Sequence, residues 1–463
     1  MLTQRKFSRR KFLELAALST AGAFLAACGT PAAEEVPEEG AEEEPGTTEV
    51  GAPTGKKEVR IVRCGWLESE MPIDLAIATY NNLEERQTDN VQIVLDPAGK
   101  APTDQVLGEM MASGEDVPWN AHVCFTPFLE TNNAISLGTI QPFDPYLEAS
   151  AYADAAKRIK DDMIDSVRAD NSFEGQLYAI PTNIDVVCFQ WRTDYLEAVG
   201  FTKFDTMDDV LEAAIAVTEE FKDEQVYGFG PTPAVTWRYL AALHQAYSPP
   251  EQLFTEDGLL NILDEGWLAS MEITKKFVDA GTVPSGWETW GYPESWRQGK
   301  LAMAITQHSN GTWGGMIWGY DKLEMAPTPL GNPDIGTAGT MFWATSMPLY
   351  KSAPYAQETT DFLVWMVDPE NEMWNTGAFK AGKMSGFKSA YANYINPDDV
   401  TQKWALDVLP LLEAATPPPP TKWYITEHNA IVPQFTEFLL GNKSATEAME
   451  AAWAEIQAEV EKA

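Results

Sequence analysis

Basic residues are scarce in this chain. Its 32 Lys and Arg stand against 69 Asp and Glu, a net charge of −37, with only four histidines to soften it. Binding a phosphate backbone depends on Lys and Arg displacing counterions, so this balance argues against nucleic acid as a partner and disfavours a polyanionic ligand. Cysteine is scarce too. Four cysteines in 463 residues cannot supply a disulfide framework, and stability has to come from buried apolar area. Residues 15–27 (LAALSTAGAFLAA) are an apolar stretch of 13, short of the ~20 a spanning helix needs.

Catalytic signatures are missing as well. The sequence has no G-x-S-x-G elbow, H-E-x-x-H, G-x-x-x-x-G-K-[ST] or C-x-x-C, and Gly228-Phe229-Gly230 lacks the third glycine of a dinucleotide fingerprint. His122, His244, His308 and His428 are far apart and read as surface or packed residues, so no metal site and no cofactor are expected. Cys64, Cys124 and Cys188 lie in strand-like apolar runs and read as buried free thiols. Glycoside hydrolysis needs only two facing carboxylates; with 69 acids no particular pair is indicated.

Enough apolar material is present, 44% of residues, for real cores, and the length suggests two or three domains. The N-terminus reads as an export signal. Arg5, Lys6, Arg9, Arg10 and Lys11 precede the apolar stretch, and Ser8-Arg9-Arg10-Lys11-Phe12-Leu13 resembles the twin-arginine motif, with Glu14 where that motif usually has Lys. Leu25-Ala26-Ala27-Cys28 resembles the lipobox of bacterial lipoproteins, which makes Cys28 the expected lipidation site and residues 1–27 the removed signal peptide. Residues 29–55 carry eight glutamates, no base and almost no large apolar side chain, too little to offset ordering entropy, so residues 28–57 are expected to form a disordered acidic tether. Removing the signal takes away five bases and one acid, leaving −41; the tether glutamates account for all but −33 of that.

From Lys56 onward strand and helix patterns alternate. Residues 59–66, 73–83, 91–95, 103–112 and 121–125 read as βαβαβ, and later helices open at Thr206-x-x-Asp209 and Ser444-x-x-Glu447, both capping boxes or close to one. Met449, Trp453, Ile456 and Val460 follow the second box at helical spacing.

Aromatics are the positive anomaly: 16 Trp, 15 Tyr and 20 Phe. Trp66, Trp119, Trp287, Trp290, Trp313 and Trp318 sit beside Gly, Pro, Asn or Ser, and with Trp237 and Trp343 they read as lying in loop-like contexts. Each one singly reads as packing; together they point to a sugar, whose apolar C–H face stacks on an indole.

Residues 175–185 (GQLYAIPTNID), running on through 186–196 (VVCFQWRTDYL), resemble the G-K-x-Y-G-L-P … Y-N-K-D-L-F crossover of extracellular solute-binding proteins of ABC sugar importers, the maltose-binding protein class. Residues 206–217 are similar to that family's T-W-E-E-L helix, 296–303 (WRQGKLAM) to its F-x-x-G-K-A-A-M segment, 327–330 to its P-L-P-G turn, 336–346 to its glycine-rich strand and 444–449 to its terminal S-x-x-E-A-L helix. Arg192-Thr193 departs from the family's Asn-Lys, and the prolines at 417–420 with Trp423-Tyr424 are an elaboration.

The resemblance implies an α/β, bilobal periplasmic-binding-protein type II fold, its two α/β lobes joined by three hinge crossings near 180–185, 344–347 and 391–397. It implies an N-terminal lobe of 58–181 and 347–395 and a C-terminal lobe of 182–346 and 396–463. Function follows as an expectation: a lipid-anchored, exported, monomeric receptor, not an enzyme, that takes a neutral sugar or oligosaccharide between the lobes by hinge closure and delivers it to ABC permease subunits. A peptide, polyamine or polyol as solute, an exported carbohydrate-active enzyme, and delivery to a sensory receptor stay open beside it. The ligand-binding residues implied are Asp185, Trp66, Glu68, Phe125, Thr126, Phe128, Thr232, Trp237, Trp313 and Trp343.

Overall fold

The structure is a computed structural model and describes residues 56–63, 71–96, 104–230, 236–284, 292–337, 340–415 and 423–462. It begins with the expected βαβαβ unit. Strand β1 (Lys57–Val62) alternates exposed and buried side chains before becoming fully buried, as a strand entering a covered sheet must. Helix α1 (Ile73–Asn81) buries Ile73, Ala76, Ile77 and Tyr80, a 3–4 spacing that puts them on one stripe. The chain returns as β2 (Val91–Asp96) parallel to one side of β1, and β3 (Ala121–His122) lies parallel on the other side, giving the order β2-β1-β3. Helix α2 (Pro127–Ser136) follows, with proline at its first position, where the missing N–H costs nothing.

After β4 (Ile140–Gln141) and the short helix α3 (Asp165–Asp170) comes the element on which the architecture turns, the 14-residue strand β5 (Ala179–Arg192). Only Trp191 in it is not buried, and the buried residues include the polar Thr182, Asn183, Asp185, Gln190 and Arg192. The remaining strands of its sheet are β6 (Tyr227–Gly230), β7 (Leu301–Gln307), β8 (Leu323–Ala326) and β9 (Phe342–Tyr350). The order is β4-β9-β5-β7-β6, with β8 also on β5. From Ala179 to Val186, β5 pairs antiparallel with β9; from Val187 on it pairs with β7 and, from Phe189, with β8. One strand thus changes partners between Val186 and Val187.

Two large apolar cores lie to either side of that change. The first collects β1, β2, α1, Ile180, Ile184 and Val186 of β5, and Ala344 and Met347 of β9. The second collects Val187 and Phe189 of β5, β7, and the helices α4 (Met207–Glu220) and α5 (Glu265–Asp279). Both belong to one compact unit, Gly55–Ala463. Gly228 in β6 is there for contact: a Cβ would overlap the backbone of Ala214 in α4, so the Gly-Phe-Gly run serves strand–helix packing.

The last third of the chain returns to each core. After α6 (Tyr292–Arg297) and α7 (His308–Trp318), helices α8 (Lys388–Tyr394) and α9 (Val400–Ala414) supply Ala390, Tyr391, Trp404, Val408 and Leu412 to the first core. Helices α10 (Tyr424–Leu439) and α11 (Ala445–Val460) supply Ile431, Phe435, Met449 and Ile456 to the second. Segment 391–397, expected as a crossing, therefore has helices of the first core on both sides. The capping box of α11 is as read from sequence: the Glu447 amide donates to Ser444 Oγ at 3.2 Å and the Ser444 amide to Glu447 at 2.9 Å. Among the described residues no helix is long and apolar enough to cross a membrane.

Candidate binding site at the strand crossing

Asp185 is one residue before the change of partners in β5, in register with Trp343 of β9. Its side chain is only 4% exposed. One carboxylate oxygen lies 3.6 Å from Lys383 Nζ, and the other 3.8 Å from His308 Nδ1. Which neighbour carries positive charge is decided by hydrogen bonding. The Val186 amide donates to His308 Nδ1 at 3.1 Å, so Nδ1 is an acceptor and the proton sits on Nε2, 3.1 Å from the Gly382 carbonyl. Burial pushes the imidazole down to about 4, against the pull of Asp185, so the ring is neutral at pH 7. Lys383, itself 2% exposed, is the counter-ion of Asp185.

The same ammonium lies 5.0 Å from the ring centroid of Trp313, and the Arg297 guanidinium lies 4.6 Å from it. Trp313 is half-buried on α7, whose first residue is His308, and the His308 ring stacks on Trp404 of α9 at 5.2 Å. Carboxylate, ammonium and indole thus form a chain from the strand crossing to a partly open aromatic face, with each cation beside a ring quadrupole. The glycines around Trp313 suggested a loop. They lie in a helix because close packing requires them: a Cβ on Gly314 would collide with the indoles of Trp296 and Trp318.

The loop after β3 reaches the crossing from the other side. Phe125 is fully buried and exchanges backbone hydrogen bonds with Ser346 of β9, at 3.1 and 2.8 Å. Thr126 caps α2 through its backbone, its amide donating to Glu130 at 2.9 Å. Phe128, in the first turn of α2, is 2% exposed and packs in the second core, edge-on to Tyr424 of α10 at 6.4 Å. Asp170, at the end of α3, accepts the Ala344 amide of β9 at 3.3 Å and faces the Phe128 amide; burial pushes its carboxyl up to about 7.

Of the expected ligand residues, the structure brings Asp185, Trp343, Phe125, Thr126 and Phe128 to the crossing and Trp313 beside it. Trp343 is 5% exposed and packs in the second core. Trp66, Glu68, Thr232 and Cys28 lie outside the described residues, as does the side chain of Trp237, whose backbone belongs to the helix Thr236–Gln245 and not to a loop. Lys383, Arg297, His308 and Asp170 were not anticipated. Lys383 had one usable signal, a lone base between Gly382 and Gly386 in an acidic chain; the others had none, since their partners are distant in sequence.

One reading of the cysteines is corrected. Cys188 is a buried free thiol, but Cys124 is disulfide-bonded; Cys64 lies outside the described residues. His122 and His244 are packed: His122 Nδ1 is 2.7 Å from Tyr350 Oη and His244 Nε2 is 2.8 Å from Asp264. Among the described residues no group of His, Cys, Asp and Glu could hold a metal ion.

A family description, bacterial extracellular solute-binding protein, matches residues 85–408. No curated protein matches the chain by sequence. Solved structures do match in fold. The sugar-binding protein MalE from Xanthomonas citri superposes with a TM-score of 0.69 at 15% identity, covering 88% of this chain and 98% of that one. The substrate-binding protein Lmo0181 from Listeria monocytogenes, solved with cycloalternan, gives 0.67 at 15% identity, over 88% and 99%. A solute-binding protein from Agrobacterium vitis with bound D-mannitol gives 0.65 at 18% identity, over 88% and 98%. The fold is thus the bilobal α/β periplasmic-binding-protein type, and the chain belongs to the bacterial extracellular solute-binding protein family.

Proposed function

We propose that this protein captures a neutral sugar or oligosaccharide between its two lobes and delivers it to the permease of an ABC importer. The observation that carries this reading is Trp313: a half-buried indole beside the strand crossing, backed by the buried Asp185–Lys383 pair, in a member of a solute-binding family. An aromatic face for C–H groups and buried polar groups for hydroxyls are what a neutral sugar requires. Asp185, Trp66, Glu68, Phe125, Thr126, Phe128, Thr232, Trp237, Trp313 and Trp343 remain the proposed ligand residues. Asp185 acts from beneath by holding Lys383, and Trp343 becomes accessible only on opening of the lobes.

The lobes are proposed as 58–181 with 347–414 and 182–346 with the chain from α10 onward; the last boundary moves from 395/396 because α9 packs in the first core, so the final change of lobe falls between α9 and α10. Export by the N-terminal signal, lipid attachment at Cys28, a monomeric state and absence of catalysis belong to the same proposal. A polyol is the second reading, favoured by the D-mannitol complex of a protein of the same fold. Thermal unfolding of residues 56–463 against sugars, polyols and peptides tests the choice. The right ligand at a hundredfold excess over its Kd adds ~2.7 kcal/mol of stability. Stabilisation by peptides alone removes the sugar reading.

A further inference from the structure

Cys124 comes two residues after β3, with a left-handed backbone (φ 71°), and its sulfur is in a disulfide. The other cysteines of the chain are Cys28, Cys64 and Cys188. Cys188 is a free thiol inside β5, which leaves Cys28 and Cys64 as partners.

Strand register separates these two. β1 and β3 run parallel with Ile61 beside Ala121 and Val62 beside His122, and the Val123 amide donates to the Val62 carbonyl at 3.2 Å. In sequence Cys64 and Cys124 each follow this last pair by two residues. Paired strands stand ~4.8 Å apart, within the Cα separation of ~4.4–6.8 Å that a disulfide spans. Nothing comparable directs position 28, in the acidic segment far ahead of β1, towards Cys124. A disulfide there would also consume the thiol that a lipid would take.

We infer that Cys64 and Cys124 form a disulfide that staples the ends of β1 and β3, leaving Cys28 for the lipid. On closure the two thiols lose two protons and two electrons. Outside the cytoplasm the acceptor is the disulfide of a thiol–disulfide oxidoreductase, which departs as a dithiol. In sequence, Trp66 and Glu68 follow Cys64 within four residues, and Phe125, Thr126 and Phe128 follow Cys124 within four. The staple therefore fixes the spacing of two segments proposed to face the ligand. That last consequence rests on the proposed function; the pairing itself does not.

The test is cysteine mapping on the full chain, exported with its own leader, denatured without reductant, alkylated and digested. The expected result is label on Cys188 and a peptide pair joined through Cys64 and Cys124. Label on Cys64 or Cys124, or a link from Cys124 to Cys28 or Cys188, overturns the pairing. A Cys64→Ser variant must expose Cys124 to alkylation, and a Cys124 still blocked there also overturns it. Reduction of the folded protein should lower Tm on the order of 5–10 °C and weaken sugar binding. An oxidised, correctly linked protein that binds no sugar would count against the functional reading and leave the staple standing.

Discussion

Lys383 holds its ammonium 3.6 Å from the Asp185 carboxylate, and both side chains are almost completely buried. A buried pair of this kind is a weak source of net stability, but removing one member strands the other charge without a partner. Asp185→Ala is therefore expected to destabilise the protein by ~3–5 kcal/mol, read as a lower urea midpoint. Asp185→Leu with Lys383→Met should recover most of the loss. Equal midpoints for Asp185→Ala and the parent would show that the pair is not formed in solution.

Trp313 is only half-buried and is expected to act on ligand more than on folding. Trp313→Ala should weaken sugar binding by ~10-fold or more, the ~1–2 kcal/mol of an aromatic anchor, while the ligand-free Tm changes little. A variant with full affinity would remove Trp313 from the site.

Glu427 gives a pH signature. It is 2% exposed on α10 and accepts the Leu260 amide at 2.7 Å; burial pushes its carboxyl up to about 7 from 4.5. Between those values the folded protein keeps a proton that the unfolded chain has lost, so this group makes stability fall as pH rises from 4.5 to 7. Glu427→Gln keeps an acceptor for the Leu260 amide and removes the titration. Its advantage over the parent should grow across that interval to on the order of 2–3 kcal/mol and stay constant above it. Urea midpoints of both proteins at successive pH values measure the difference.

Cys28 is the proposed anchor. Cys28→Ser should move the exported protein from the membrane fraction to the soluble one and abolish lipid labelling, with sugar affinity unchanged. Membrane association that survives the substitution would separate anchoring from this cysteine.

What the sequence revealed and what it hid divide along contact range. The Ser444–Glu447 box and the Met449–Ile456 stripe depend on neighbours within a few residues, and they were legible. The first βαβαβ unit was legible because each strand is a short apolar run between helical periods. The Asp185–Lys383 pair joins residues far apart in the chain, and nothing local announces it. Trp313 read as a loop residue because Gly311, Gly314 and Gly315 lower helix propensity, yet close contacts with Trp296, Trp318 and Tyr320 override that preference. Cys124 read as a packed thiol because no cysteine within a few residues of it announces a disulfide partner.

Calorimetric titration of residues 56–463 with the carbohydrate that most raises Tm tests the central claim most directly. The account predicts saturable one-to-one binding that falls by ~10-fold or more in Trp313→Ala. Absence of heat with every sugar and polyol, together with saturable binding of a peptide or polyamine, would contradict it.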